Sequence, residues 1–292
     1  MQRPTTPHTT SSPGWRLHLR RARLGTLLVC LLVSAIWGFE MWRADNRVFA
    51  WTKPVSVLVV ALVDPETPLG SDELSELLHG FLSSPRPLDG NVAGVAKWLE
   101  NERAALSAGE GRVVDFSCAG PFKMSEAPPG PPPADASFLG RWSATRAFLG
   151  YFEEVAESLD VARDGYDVTI FVYFFAEERA ALYGKQHSMA SRRDGLGVVF
   201  APLGRKHLPY SAALLAHELL HTFGASDKYE GSRCIYPDGF AEPDLNPLYP
   251  QRWSEIMALG IPLEAGRERR VTELSDCKVG RTTAAEIGWL ER

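Results

Sequence analysis

The chain has 292 residues, of which 45% are hydrophobic and 23% charged, and its formal net charge is −5. This is the composition of an ordinary globular protein, and the length suits one large domain or two small ones. A general nucleic-acid binder would carry a basic stripe, so the acidic balance argues against that class and we expect no nucleic-acid partner.

The N-terminus predicts a membrane anchor. Residues 1–23 are rich in Pro, Thr and Ser and end in a cluster of arginines, which indicates a disordered basic tail. The run over residues 24–39 is uncharged, and flanking aromatic residues extend it to a predicted transmembrane signal anchor over residues 24–42. Because positive charge stays on the cytoplasmic side, we expect residues 50–292 outside the cytoplasm, on a single-pass protein of the cell membrane. A signal peptide cleaved near Ala35, giving a secreted protein, and a buried core helix are the alternatives.

Hydrophobic periodicity then predicts strands and helices in alternation. Apolar, β-branched and aromatic runs predict strands over Pro54–Asp64, Arg112–Phe116, Tyr166–Phe175 and Gly197–Ala201. Apolar residues at helical spacing predict helices over Ser71–Ser83, Asn91–Leu106 and Phe138–Val161. The proline-rich residues 125–137 predict an exposed loop, and after Thr222 the chain is irregular until a last helix over Thr282–Leu290. The alternation indicates an α/β or α+β fold rather than an all-helical bundle.

The sequence SAALLAHELLHTF over residues 211–223 predicts a buried helix that carries chemistry. The helix is apolar nearly all round, so the polar side chains within it need partners. His217 and His221 are four residues apart and therefore share one face, where both rings can bind one metal ion. Glu218 lies beside them and can accept a proton from a water that zinc activates. A chance match and two core histidines with ordinary hydrogen bonds are the alternatives, and the glycine that ends the helix argues for the metal.

The continuation HELLHTFGASD resembles the signature H-E-x-x-H-x-x-G-x-x-H/D of the metzincin zinc peptidases. Gly224 can adopt the positive φ that the sharp helix end of this motif requires. Asp227 stands where most metzincins have His and where the snapalysin-like bacterial secreted peptidases have Asp. The resemblance implies Zn²⁺ on His217, His221 and Asp227, in a zincin-like domain with a mixed twisted sheet, an active-site helix and an irregular C-terminal part. The alternative for Asp227 is a capping role in the turn.

The resemblance extends to about Met257. Metzincins have a methionine in a tight turn beneath the metal, and Ser254–Ala258 resembles that turn, although a buried methionine is also ordinary core filling. Tyr229 could donate a hydrogen bond to a developing oxyanion, orient Asp227, or pack under the loop. The motif is also similar to that of uncharacterised bacterial exported proteins reading H-E-x-x-H-T-x-G-A-x-D-K-Y.

Other acidic residues compete for a role at a metal site. In gluzincins a glutamate about twenty residues beyond the motif completes the site, and Glu242 has that position, with Glu230 nearer. The glycine and methionine of the metzincin resemblance favour Asp227. Asp238, Glu242 and Asp244 could bind calcium together, although their spacing is not that of an EF-hand.

The cysteines fit an exported protein. No C-x-x-C pair occurs, which disfavours a cysteine-based zinc site. Cys30 lies in the uncharged run, and in an oxidising compartment the other three allow one disulfide. We predict that it joins Cys234 and Cys277, which bracket the segment after the metal motif. Cys118 would remain a free thiol or act as a thiolate switch on zinc, although its surroundings match no known switch.

Together these residues predict a membrane-anchored zinc metallopeptidase that acts on a peptide or protein, with Glu218 as the general base. Two alternative functions from other classes of protein remain. One is a zinc-stabilised binding module that keeps the motif but cleaves nothing, and the other is a zinc amidase that acts on cell-wall material.

Overall fold

The computed structural model describes residues 49–67, 72–84, 86–88, 90–130, 135–183 and 188–291, together with residues 23, 26, 29–36 and 38. The chain divides into two compact units, residues 1–46 and 47–292. In the first unit the described residues are helical. None of the described helices is both long and apolar enough to cross a membrane. Residues 1–22 of the predicted tail and much of the predicted anchor over residues 24–42 lie outside the described residues.

A five-stranded mixed sheet organises the second unit. Its strands are β1 (Val55–Val63), β2 (Val114–Lys123), β3 (Val168–Ala176), β4 (Met189–Ser191) and β5 (Leu196–Leu203), in the order β2-β1-β3-β5-β4. The four long strands are parallel, and β4 runs antiparallel to β5 at one edge. The inner strands are buried on both faces, which explains why they read as continuous apolar runs rather than as alternating ones.

Six helices are described in the second unit, beside the sheet. They are α1 (Asp72–Ser83), α2 (Val92–Ala105), α3 (Phe138–Ser158), α4 (Ala180–Tyr183), α5 (Leu208–Phe223) and α6 (Arg281–Glu286), with short 3-10 turns over Glu177–Arg179 and Leu274–Asp276. Two-residue and longer strands pair in the C-terminal part: β6 (Tyr229–Glu230) with β7 (Arg233–Cys234), β8 (Ser254–Glu255) with β11 (Cys277–Lys278), and β9 (Gly260–Glu264) with β10 (Arg267–Arg270). The fold is therefore mixed α and β, as predicted.

The main elements form where periodicity predicts them, and the differences have local causes. Strand β2 continues to Lys123 because it pairs along the whole of β1, so the sheet supports residues of low strand propensity. Helix α5 begins at Leu208, where Pro209 occupies the first turn and needs no hydrogen-bond donor. Helix α6 ends at Glu286 rather than near Leu290, because Gly288 turns the chain with φ +80°. The described residues of the proline-rich loop contain no helix or strand.

Two apolar layers cover the sheet. One layer contains α1, α2 and α5, with Leu78, Val95 and Leu215 against the sheet. The other contains α3 and the region of α4, with Phe152 and Tyr183 packed against the opposite face.

The irregular C-terminal part belongs to the first layer, since side chains such as Ile256, Val271 and Ile287 pack into it. Trp51 helps to hold this part, because its ring packs edge-on against Phe223 at 5.1 Å between centroids. Its indole N–H donates to the carbonyl of Ile287 at 2.8 Å. The last residues of the chain are thus tied to the end of α5.

The predicted Cys234–Cys277 disulfide is wrong. All four cysteines are among the described residues, and all are free thiols. The Cys234 thiol donates to the carbonyl of Gly260 at 3.3 Å, whereas Cys277 lies fully buried in the core on β11. Burial raises the pKa of the Cys277 thiol well above its ordinary value. The two residues belong to different small sheets, which their positions in the chain do not reveal.

Candidate metal centre

Helix α5 carries the H-E-x-x-H residues into the interior. His217 and Glu218 are each 3% exposed, and the apolar side chains around them place the helix against the sheet. His221 lies one turn later and its side chain is 18% exposed, so it is nearer the surface. The helix therefore presents two imidazoles and a carboxylate to one largely buried place.

Gly224 ends this helix and turns the chain. Its φ is +110°, in the left-handed region that favours glycine, and its N–H donates to the carbonyls of Leu220 and His221. A Cβ at this position would lie 2.6 Å from a guanidinium nitrogen of Arg192. The turn brings Asp227 back beside the two histidines.

Three side chains converge after this turn. The Nε2 atoms of His217 and His221 are 3.1 Å apart, and the Asp227 carboxylate oxygen lies 3.3 Å from the first and 3.2 Å from the second. Ligands bound tetrahedrally to zinc at about 2.1 Å would lie roughly 3.4 Å apart. Among the described residues, these three form the one group of histidine, cysteine and carboxylate side chains close enough to share an ion.

The hydrogen bonds of the two rings decide which nitrogen faces the centre. The Nδ1 atom of His217 lies 3.0 Å from the carbonyl oxygen of Ile256, and that of His221 lies 2.8 Å from the carbonyl oxygen of Ala225. Because a carbonyl oxygen only accepts, each Nδ1 carries a proton, and the Nε2 atoms of the two rings face each other and the Asp227 carboxylate. A metal ion between the two Nε2 atoms and the carboxylate oxygen would engage all three at once. The N, N, O donor set and its backbone supports therefore fit a zinc ion.

Glu218 lies at the same centre, and one of its carboxylate oxygens makes no hydrogen bond with the described residues. Its Oε2 atom is buried and has no hydrogen-bond partner in the described part of the chain. Burial raises the pKa of Glu218, against the opposing effects of His217 and His221. Burial also acts to raise the pKa of Asp227, but its hydrogen bonds with the two histidines lower it well below the ordinary value. One carboxylate is thus engaged by the rings, and the other keeps an oxygen available.

The predicted methionine turn is joined to both segments that carry the candidate ligands. Met257 is fully buried, and its carbonyl accepts the N–H of Lys228 at 2.9 Å. The carbonyl of the preceding Ile256 supports His217, as described above. The N–H of Met257 donates to the carboxylate of Glu255 at 2.5 Å. The turn therefore holds the helix and the loop of Asp227 in one arrangement.

Glu255 is a fully buried carboxylate at the centre of that turn. It also accepts the Gly280 N–H at 3.2 Å and the Thr283 hydroxyl at 2.7 Å, which ties the turn to α6. Burial raises the pKa of Glu255 to about 7, although these donors and Lys228 act to lower it.

A second connection from α6 reaches the loop on both sides of Asp227, and the sequence analysis missed it. Lys228, 4% exposed, places its ammonium 2.7 Å from both carboxylate oxygens of Glu286. The same carboxylate accepts the N–H of Ser226 at 2.9 Å and its hydroxyl at 2.8 Å. A lysine directly after a candidate ligand was the available signal, but no spacing rule links it to a residue 58 positions away.

Tyr229 lies at the edge of the centre and is 37% exposed. Its pKa is raised by burial and by the nearby charges of Asp227 and Glu218. The hydroxyl therefore stays protonated at neutral pH and can donate a hydrogen bond.

The competing acidic residues are engaged elsewhere. Glu242 pairs with Arg252 at 2.5 Å, and Asp238 accepts the Thr282 hydroxyl at 2.8 Å. Glu230 is exposed on β6. Within the described residues, no three of these carboxylates gather closely enough to share an ion. The described residues therefore give no support to the gluzincin alternative or to a calcium site, and exposed Cys118 on β2 is not in the group of candidate ligands.

A cavity of about 610 Å³ opens at the centre. His217, Glu218 and Tyr229 line it together with an aromatic wall that includes Phe175 and Phe200. This space is large enough for a ligand of several amino-acid residues, and Glu218 is part of its lining.

Compared with known proteins, the chain matches no protein-family model, and no curated protein is significantly similar to it. What the centre can do chemically is therefore inferred from its own residues.

Proposed function

We propose that the protein is a zinc-dependent peptidase of the Asp-type metzincin kind, with Zn²⁺ held by His217, His221 and Asp227. The observation that carries the proposal is the approach of two Nε2 atoms to 3.1 Å, with a carboxylate oxygen 3.2–3.3 Å from both. The unpaired oxygen of Glu218 beside this group supports a hydrolytic rather than a purely structural role.

When bound, zinc supplies Lewis-acid chemistry: it polarises a carbonyl group and makes a water molecule more acidic. Glu218 accepts the proton of the attacking water and passes it to the leaving amine. The Ile256 and Ala225 carbonyls keep both rings in the tautomer and orientation that the site needs. Tyr229 donates a hydrogen bond towards the oxygen on which negative charge develops.

The position of the sheet edge next to the cavity favours a peptide as the substrate. Ser188 lines the cavity and directly precedes β4, the strand at one edge of the sheet. An edge strand can pair through its backbone with an extended peptide, which would place a peptide bond of that chain at the cavity. The proposed setting is extracytoplasmic, on a membrane anchor over residues 24–42.

Hydrolysis of a broad peptide library by the full-length protein tests the proposal. We expect cleavage that a chelator abolishes and that added Zn²⁺ restores. Glu218→Gln is the matched variant, because it keeps the size of the side chain and the metal ligands but removes the base. It should bind zinc as the wild type does and lose turnover by roughly a hundredfold or more.

Cleavage that survives both the chelator and Glu218→Gln would overturn the mechanism. Zinc-dependent thermal stabilisation without turnover of any amide would indicate a binding module instead. Cleavage of peptidoglycan fragments but not of peptides would indicate a cell-wall amidase.

A further inference from the structure

Besides His217 of the centre, three basic side chains line the cavity: Lys206, His207 and Arg270. Glu177 lies 2.7 Å from the ammonium of Lys206 and 3.4 Å from the Nε2 atom of His207. The first two basic groups are therefore already matched by a carboxylate. Arg270 has no carboxylate within ion-pair distance among the residues that the structure describes.

The other arginines of the same strand do have carboxylate partners, so the lack of one among the described residues is specific to the position of Arg270. On the same hairpin, Arg267 pairs with Glu264, and Arg269 pairs with Asp276 at 3.0 Å. Neither of these two arginines lines the cavity. Of the three arginines on β10, Arg270 thus lines the cavity and is also the one without a carboxylate partner among the described residues.

Tyr210 holds the Arg270 guanidinium in place. An Nη atom of Arg270 donates to the tyrosine hydroxyl at 2.7 Å, and the guanidinium carbon lies 4.7 Å from the centre of the ring. These contacts restrict a long side chain while using one of its five N–H donors. The remaining donors form the planar fork that matches a carboxylate.

The position of Tyr210 also sets the distance to the reaction centre. Tyr210 precedes His217 by seven residues on α5, so the two side chains lie on one face about 10 Å apart along the helix. An extended peptide advances about 3.3 Å per residue. A group bound at Arg270 would therefore lie about two to four residues from a bond positioned at Glu218.

We propose that Arg270, positioned by Tyr210, forms a carboxylate-binding subsite, and that the substrate is a peptide with an acidic group about two to four residues from the cleaved bond. This inference rests on the proposed peptidase function. The carboxylate can come from an Asp or Glu side chain or from the C-terminus of a short peptide. Both sources offer the same two oxygens to the guanidinium.

Matched peptides test the subsite in the full-length protein. One series carries Glu or Gln at each of the four positions on either side of the cleaved bond, with blocked ends. A second series has only neutral side chains and either a free or an amidated C-terminus. We expect the wild type to prefer the acidic member of a pair by roughly ten- to a hundredfold in kcat/KM at one position.

Arg270→Ala should remove this preference, so that the ratio of kcat/KM for the acidic and neutral peptides falls to about one. Arg267→Ala is the matched control, because it removes an exposed arginine from the same strand and should keep the preference. Tyr210→Phe should weaken the preference, since it removes the hydroxyl that orients the guanidinium. Arg270→Glu should reverse it towards peptides with Lys at the same position.

A binding measurement separates failure of the subsite from failure of the proposed function. In Glu218→Gln, fluorescence anisotropy with a labelled acidic peptide and its neutral twin should show preference for the acidic one, and Arg270→Ala should abolish it. Equal binding and equal cleavage of both peptides by the wild type would overturn the subsite and leave the peptidase intact. Preferential binding without any cleavage would support the subsite and count against the peptidase.

Discussion

The ammonium of Lys228 lies 2.7 Å from both carboxylate oxygens of Glu286, a residue of the last helix. The same carboxylate accepts the N–H and hydroxyl of Ser226, so the residues before and after Asp227 are held by one side chain. The loop that carries the third candidate ligand is therefore fixed from the C-terminal end of the chain.

Glu286→Ala should destabilise the fold by about 3 kcal/mol, because it leaves the buried ammonium of Lys228 without its counter-charge. It should also weaken zinc binding, since Ser226 and Lys228 no longer hold Asp227. Urea unfolding of the chelated protein and a zinc titration measure the two effects separately.

Glu264→Ala is the matched control for that experiment. Glu264 pairs with Arg267 where both side chains are more than 60% exposed, so its loss should cost less than about 1 kcal/mol. An equal effect of the two substitutions would contradict the role given to the buried pair.

Asp227→Ala should abolish retention of zinc, whereas Glu242→Ala should leave the metal content unchanged. The reason is geometric: the carboxylate of Asp227 lies 3.2–3.3 Å from both Nε2 atoms, and that of Glu242 is engaged by Arg252. Metal analysis after dialysis gives the zinc-to-protein ratio of each variant. A full complement of zinc in Asp227→Ala would refute the assignment of the third ligand.

Glu255 should make stability fall as pH rises from about 4.5 to about 7. Burial raises its pKa to about 7, whereas the same carboxyl group in the unfolded chain titrates near 4.5. Between these values the folded state holds a proton that the unfolded state has lost, so raising the pH favours unfolding by up to about 3 kcal/mol. Above pH 7 both states are ionised and the contribution levels off.

Glu255→Gln should remove this slope. Urea unfolding of the wild type and the variant at about pH 5 and about pH 8, both with a chelator, isolates the effect, since other titrating groups are common to both proteins. The same pH dependence in the two proteins would show that Glu255 ionises normally in the fold.

Gly224→Ala should destabilise the protein by about 1–2 kcal/mol, because alanine is strained at φ +110° and its Cβ would meet Arg192. Gly80→Ala is the matched control with the opposite sign. Gly80 lies inside α1 with no atom within 4 Å of an added Cβ, so alanine there should stabilise by about 0.5–1 kcal/mol. Thermal unfolding of both variants provides the comparison, and a neutral Gly224→Ala would rule out a strained turn.

The main helices and strands and the central residues of the site could be predicted from local patterns in the sequence. Helical spacing put His217 and His221 on one face, and positive φ at Gly224 followed from the need to end the helix sharply. The long strands were visible because their apolar runs are buried on both faces. These features depend on residues a few positions apart, whose relation is set by helix and strand geometry.

Long-range contacts were decided only by the tertiary structure. The bond between His217 and the Ile256 carbonyl, the Lys228–Glu286 pair and the Arg270–Tyr210 pair join residues 39 to 60 positions apart. The same limit explains why the Cys234–Cys277 disulfide was wrong, since spacing in the chain does not say which small strands pair. The sequence by itself determined the chemistry of the candidate ligands, because periodicity within one helix is a local property. Packing of the C-terminal part against that helix determined how they are held and what lines the cavity, because such contacts depend on the whole fold.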